Sequence, residues 1–258
     1  MDDFLFDKPK KKKKNKEDGL GDLIGSAMSN LGKKPVSKRK EPAQTYVTHH
    51  CFKLTDGCPD VSLQTTINEQ RLLLKERRLG DEIIKGLYYA YDGKYKQRVI
   101  IPFYDESGGI YYFQAMATQD WQRKFKYINF KDESIEQRPE YNEEFVDTEK
   151  IVYVVEGLFD STFVDNGVAT LGVNLSSTRL RYYKKKYPNR VWIMDNDKVG
   201  ITATKKLCKA GEKCVIFPKK YKKIKDLNDL AILLKEDNLT EIIKDWTYNG
   251  IDGLIELN

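Results

Sequence analysis

KIVYVVEGLFDSTFVDNGVATLGVNLSSTRLRYYKKKYPNRVWIMDNDKVG, residues 150–200, decides the fold. Residues 151–155 form a short continuous apolar run, followed by Glu156-Gly157 and a stretch to Asn166 that reads as helical. Residues 168–171 are a second apolar strand, followed by a helix over about 176–186. Residues 190–194 are a third, ending in Asp195-Asn196-Asp197, and 198–210 has helical spacing. Strands of four to six residues alternating with helices predict a parallel sheet covered on both faces.

The pattern continues outward. Downstream, 213–217 is a fourth strand, and helices begin near Asp226 and Thr240. Upstream, 67–77 and 80–86 read as helices, with Leu72, Leu73, Leu74, Ile83 and Ile84 as core candidates. Strands at 98–104 and 110–115 flank the hairpin signal Ser107-Gly108-Gly109. Residues 131–149 are charged and poor in aliphatics, as expected of a linker or surface segment.

A chain of 258 residues suits one large or two small domains. No run approaches 18 apolar residues and the amino terminus has no apolar signal region, so no membrane association is expected. Four cysteines do not make a disulfide framework in a chain this long, which fits a reducing compartment. The formal charge of +6 is unevenly placed: residues 1–40 hold twelve Lys or Arg against six Asp or Glu, and the rest is balanced. This Lys-rich stretch, extended to about residue 45, has too little apolar surface to offset its ordering entropy and is expected to be a disordered tail. Leu20, Leu23, Ile24, Met28 and Leu31 recur at roughly helical spacing there, interrupted by Gly21 and Gly25. A basic arm suits nucleic acid, a solubilising role or an address signal.

Ligands of open parallel sheets bind at the carboxyl ends of the strands. Glu156 follows the first strand, Asp195 and Asp197 the third, and Asp226 and Asp229 lie beyond the fourth. Carboxylates brought this close repel each other unless a cation intervenes. All are hard oxygen donors, which favours magnesium or manganese over zinc, and magnesium on a few carboxylates commonly handles phosphates. Each acid taken singly also suits a helix cap or a turn, Asp226 especially. His49, His50, Cys51 and Cys58 are poorly spaced for zinc, no C-x-x-C occurs, and no zinc is expected. Cys208 and Cys214 read as packing residues, and no phosphate-binding loop of the G-x-x-x-x-G-K-[ST] type is present.

VVEGLFD (154–160), ATLGVNLSSTRL (169–180), WIMDNDKVG (192–200) and KDLNDL (225–230) together resemble a Toprim domain, in the order found in DnaG-type replicative primases of bacteria and phages. RVIIPFYDESGGIYYFQAMA (98–117) and KYIN (126–129) resemble the segments that precede it in that family. The resemblance covers roughly 68–235. It implies an α/β fold: a Toprim-type parallel sheet flanked by helices (150–235), preceded by a smaller α+β subdomain with a linker (46–149), and closed by a helical segment (236–258).

The resemblance also implies a function. The chain is expected to be a DNA primase, a DNA-dependent RNA polymerase that makes short primers from ribonucleoside triphosphates on single-stranded template. Glu156, Asp195 and Asp197 would be catalytic and, with Asp226 and Asp160, would hold two Mg2+ or Mn2+ ions. Arg98, Lys124, Lys126, Tyr127, Asn129 and Lys225 would meet nucleic acid or nucleotide. Asn228 stands where the family often has a second acid, and it offers a hydrogen-bonding amide but no charge. A separate hexameric helicase is the implied partner, with room for a separate zinc-ribbon subunit, in a cytoplasmic setting (the host's, for a phage protein). Two other readings stay open: a metal-dependent Toprim nuclease, and a non-catalytic nucleic-acid-binding subunit of a primosome.

Overall fold

The hairpin at the centre of the amino-terminal half is set by apolar sequence: all but the last residue of RVIIPFY at 98–104 are buried. The computed structural model describes residues 41–130, 135, 139–172 and 175–257. The expected basic tail to Lys40, with its spaced apolar residues, lies outside them. In chain order the first half contains α1 (Ala43–His50), β1 (Cys51–Lys53), α2 (Val61–Glu76), α3 (Asp81–Lys85) and β2 (Tyr88–Ala90), then β3 (Arg98–Tyr104), β4 (Ile110–Ala117) and β5 (Tyr127–Asn129). The five strands form an antiparallel sheet in the order β1-β2-β3-β4-β5.

Helix α1 corrects the expectation of a tail running to residue 45. Ala43, Tyr46 and Val47 are buried, and the Gln44 side chain accepts from the Ile110 amide at 2.9 Å, so burial against the sheet orders this turn. Asp60 caps helix α2, its carboxylate accepting from Leu63 N, and the helix begins at Val61, six residues before the start at 67 expected from apolar periodicity. Ile67 and Leu74 face inward; Leu72 and Leu73 are exposed, which corrects their place among the core candidates.

The second half contains β6 (Val152–Val155), β7 (Gly167–Ala169), α4 (Ser177–Lys186), β8 (Arg190–Ile193), α5 (Lys198–Lys209) and β9 (Lys213–Val215). Then come α6 (Leu227–Leu234), α7 (Thr240–Lys244), β10 (Thr247–Asn249) and α8 (Gly250–Glu256). The sheet order is β10-β9-β8-β6-β7, with β6, β7, β8 and β9 parallel and β10 antiparallel on the edge. The carboxyl-terminal segment is therefore mixed rather than helical: β10 pairs with β9 from Thr247↔Val215 to Asn249↔Lys213. The stretch after Glu156 forms only a short 3-10 turn, Phe159–Phe163, not a helix to Asn166.

Both faces of the parallel sheet are covered, which explains its continuous apolar strands. Val152, Val154 and Trp192 pack with Tyr183 of α4 and Leu207 of α5. Tyr153, Val155 and Ile193 pack on the opposite side with Phe159, Leu230 and Ile243, in a core continuous with that of the first sheet. The segment expected to be a linker is partly built in. Tyr141 bridges Ala169 at the edge of β7, and buried Glu140 accepts from the Tyr187 hydroxyl at 3.0 Å.

Candidate active site

Strand order reverses between β6 and β8: β7 lies to one side of β6, and β8, β9 and β10 to the other. Such a switch point opens a crevice at the strand carboxyl ends. Glu156 leaves β6 into it and Asp195 leaves β8. A cleft of about 350 Å3 lies there, and Glu156, Asp160, Asp195 and Asp226 all line it. Arg77, Lys126 and Lys225 line the same cleft, with Gln114, Tyr127 and Asn129 from the first sheet.

Glu156 carries the clearest electrostatic signature. Burial pushes its carboxyl up to about 7, and the charges of Asp195 and Asp197 push the same way, against an amide bond from Asp195 and the pull of Lys225. Its Oε2 is buried without a hydrogen-bond partner, and an uncompensated buried carboxylate oxygen is expensive. Asp160, also buried, is held well above the ordinary carboxyl range by burial and by the charges of Asp226 and Asp195. Its Oδ1 accepts from the Asn228 amide at 3.0 Å. A Cβ on Gly157 would lie 2.1 Å from Asp160 Oδ2, so the glycine lets this carboxylate fold back beneath Glu156.

The protein supplies its own cation here. Lys225 Nζ donates to Asp195 Oδ2 at 2.6 Å and lies 3.9 Å from Asp226 Oδ2. These acids raise the lysine's affinity for its proton against the effect of burial. Burial nevertheless outweighs Lys225 at Asp195, whose carboxyl is also raised. Among the described residues no three His, Cys, Asp or Glu side chains are grouped so as to hold an ion between them as they stand. The chemistry still fits a hard divalent cation: oxygen donors only, an unpartnered Glu156 Oε2, and a positive charge already seated on Asp195.

Two of the expected acids have structural duties as well. Asp197 caps α5, its Oδ1 accepting from Val199 and Gly200 at 2.9 and 3.0 Å, and it is absent from the cleft wall. Asp226 caps α6 by accepting from Asp229 N at 2.8 Å. Asp229 accepts from the Lys225 amide at 3.2 Å.

Residues 153–231 match the family model described as Toprim-like. A DNA primase of Enterobacteria phage T4 is 32% identical over 171 residues, covering 62% of this chain and 46% of the relative. The chain thus spans less than half the length of that curated relative. The structure of the DnaG catalytic core matches with a TM-score of 0.56 at 16% identity, over 75% of this chain and 77% of that one. The DnaG primase catalytic domain bound to single-stranded DNA matches with the same score and identity, over 81% and 78%. The fold is that of the DnaG-type primase catalytic core.

Within this fold the expected phosphate contacts separate into two groups. Lys126, Tyr127, Asn129 and Lys225 line the cleft. Burial lowers Lys126, and the neighbouring Arg77 and Lys225 lower it further, while burial raises Tyr127. Asn129 accepts from Gln114 Nε2 at 3.0 Å. Arg98 is buried elsewhere: its Nη1 donates to Phe125 O at 2.9 Å and Ala115 O at 3.4 Å, which leaves it tying a 3-10 turn to β4. Lys124 is exposed outside the cleft, its ammonium 5.8 Å from the Phe125 ring centre.

Arg77 is the residue that the sequence did not single out. Its Nε donates to Asn228 Oδ1 at 3.0 Å, and Asn228 Nδ2 donates back to the Arg77 carbonyl at 2.6 Å. Its guanidinium lies 5.2 Å from the Phe159 ring centre. The neutral Asn228 is thereby explained: it needs both a donor and an acceptor to hold Arg77, and a carboxylate offers only acceptors. In the sequence Arg77 sits in the charged string KERR at 75–78, where nothing distinguishes it from solvated charge.

Proposed function

We propose that the chain is the catalytic core of a DNA primase, joining ribonucleoside triphosphates into short primers on single-stranded DNA. The observation that carries this reading is Glu156: a half-buried carboxylate with one buried, unpartnered oxygen, at the switch point beside Asp195, in a cleft also lined by Arg77, Lys126 and Lys225. Glu156, Asp195 and Asp226 would hold magnesium or manganese, two ions on this reading, with Asp160 and Asp197 supporting them. Such ions lower the pKa of the attacking 3′ hydroxyl and offset charge on the departing pyrophosphate. The 3′ oxygen would form a bond to the α-phosphorus as the bond to pyrophosphate breaks, the hydroxyl proton passing to solvent.

The other side chains orient the reactants. Arg77, fixed by Asn228, and Lys126 supply cations for triphosphate or template phosphates. Asn129 and Tyr127 offer an amide and a ring to a base or a sugar. Recognition dominated by charge carries little sequence preference. A separate helicase, and a zinc-bearing subunit that chooses the start site, would complete the assembly.

The decisive assay incubates the full chain with labelled single-stranded DNA, ribonucleotides and magnesium, with and without a hexameric helicase. Labelled product that lengthens supports the reading. Product that shortens replaces it with a nuclease, and strand binding without either reaction replaces it with a non-catalytic subunit.

A further inference from the structure

The stretch Pro218–Asp226 holds Lys219, Lys220, Lys222, Lys223 and Lys225, and no acid occurs between Glu212 and Asp226. Because positions 41–258 carry no net charge as a whole, this is a sharp local excess. All five lysines are exposed. None of Lys219, Lys220, Lys222 and Lys223 forms an ion pair among the described residues.

An ordinary solvated charge run would hang free of the fold, and this one is stapled down. A 3-10 turn at Lys219–Tyr221 follows Pro218, with Tyr221 N donating to Pro218 O at 2.7 Å and Ile224 N to Tyr221 O at 2.8 Å. The Tyr221 ring packs against Trp246, with centroids 5.2 Å apart. Asn196, the middle residue of the Asp195–Asp197 motif, donates through Nδ2 to Ile224 O at 2.9 Å and Tyr221 O at 3.3 Å. Its amide donates to Lys225 O at 2.5 Å. Lys219 and Lys222 share a small pocket with Asp195 and Asn196. The backbone that carries the five lysines is thus held beside the acids, with Asn196 as the staple.

We propose that loop 218–225 is a docking surface for the phosphodiester backbone of the nucleic-acid strand that passes the Asp195–Asp197 edge. This deepens the primase reading and rests on it for the strand's identity as template or primer–template duplex. Exposed ammonium groups on a backbone held in place meet phosphates without losing further backbone entropy, and each contact releases condensed counterions.

The test measures binding of the full chain to a single-stranded oligonucleotide and to a hairpin primer–template duplex over a range of salt, by fluorescence anisotropy. Two variants lose equal charge: K219Q/K220Q/K222Q/K223Q in the loop, and K185Q/K206Q/K209Q/K213Q on exposed positions elsewhere. Each lost contact lowers the slope of log affinity against log salt by about 0.7 for single strands and about 0.9 for duplex. The loop variant is expected to lose at least two contacts and tenfold or more in affinity at low salt, with circular dichroism unchanged; the ligand showing the larger loss identifies the strand. A fall smaller than one contact, or an equal fall in the control variant, overturns the proposal. If the wild type makes no primers and the loop effect persists, the primase reading fails and the docking surface stands. If the wild type makes primers and the loop variant binds normally, only the docking surface fails.

Discussion

Glu156 is destabilising in the metal-free protein, and the sign follows from its raised pKa. Unfolded, the carboxyl titrates near its ordinary 4.5; folded, it titrates near 7. Below pH 4.5 both states are protonated and nothing is lost. As pH rises through this window the unfolded chain ionises first, so folding grows less favourable; because the side chain is only half-buried, solvent screening keeps the loss to about 1–2 kcal/mol at pH 8. With chelator present, Glu156→Gln should therefore stabilise the protein at pH 8 by about 1–2 kcal/mol, with the gap closing below pH 5. Urea unfolding at the two pH values checks this, and equal stabilisation at both would contradict the burial argument. Asn228→Ala tests the other buried node. It removes the donor to the Arg77 carbonyl and the acceptor for Nε, and should lower stability by about 1–3 kcal/mol in the same experiment.

At the scale of elements, the site depends on how α5 meets the end of β8. A Cβ on Gly200 would lie 1.9 Å from the Asp195 carbonyl oxygen, which is backbone and has little freedom to move. Gly200→Ala should push the Asp195–Asp197 loop off its cap, costing about 3 kcal/mol of stability and, on the proposed primase reading, most of the primer synthesis. Thermal unfolding and primer yield measure the two effects. The elements most legible in the sequence were those with enough apolar residues to show a period. The strand at 98–104 was read with the bounds it has, and 151–155 and 190–194 each within a residue. Three-residue strands such as β1, β5 and β10 were not legible, because Thr247-Tyr248-Asn249 has no apolar alternation and pairs only at the sheet edge. Acids at strand ends announced the cleft, since chemistry and topology coincide there. Arg77 did not, because its role comes from Asn228, 151 residues along the chain. Arg98 shows the converse: its position suggested a phosphate contact, whereas its guanidinium is bonded to two carbonyls.

On the scale of the whole molecule, the two sheets share one apolar core, running from Ile100 and Phe113 of the first to Val155 and Ile193 of the second. Polar ties reinforce it: Arg77 to Asn228, and Arg78 to Asp237 at 2.6 and 3.0 Å. The cleft is built from both halves, so neither half alone makes the site. Residues 41–258 should accordingly unfold in a single calorimetric transition with van't Hoff and calorimetric enthalpies equal, and two resolved transitions would contradict a shared core. The central claim is that carboxylates from separate strand ends hold divalent cations together. Manganese binding to the full chain, read from the free-ion signal in electron paramagnetic resonance, tests it most directly. The wild type should remove manganese from solution and Glu156→Gln should bind it at least tenfold more weakly; equal binding by the two proteins would mean that Glu156 is no ligand.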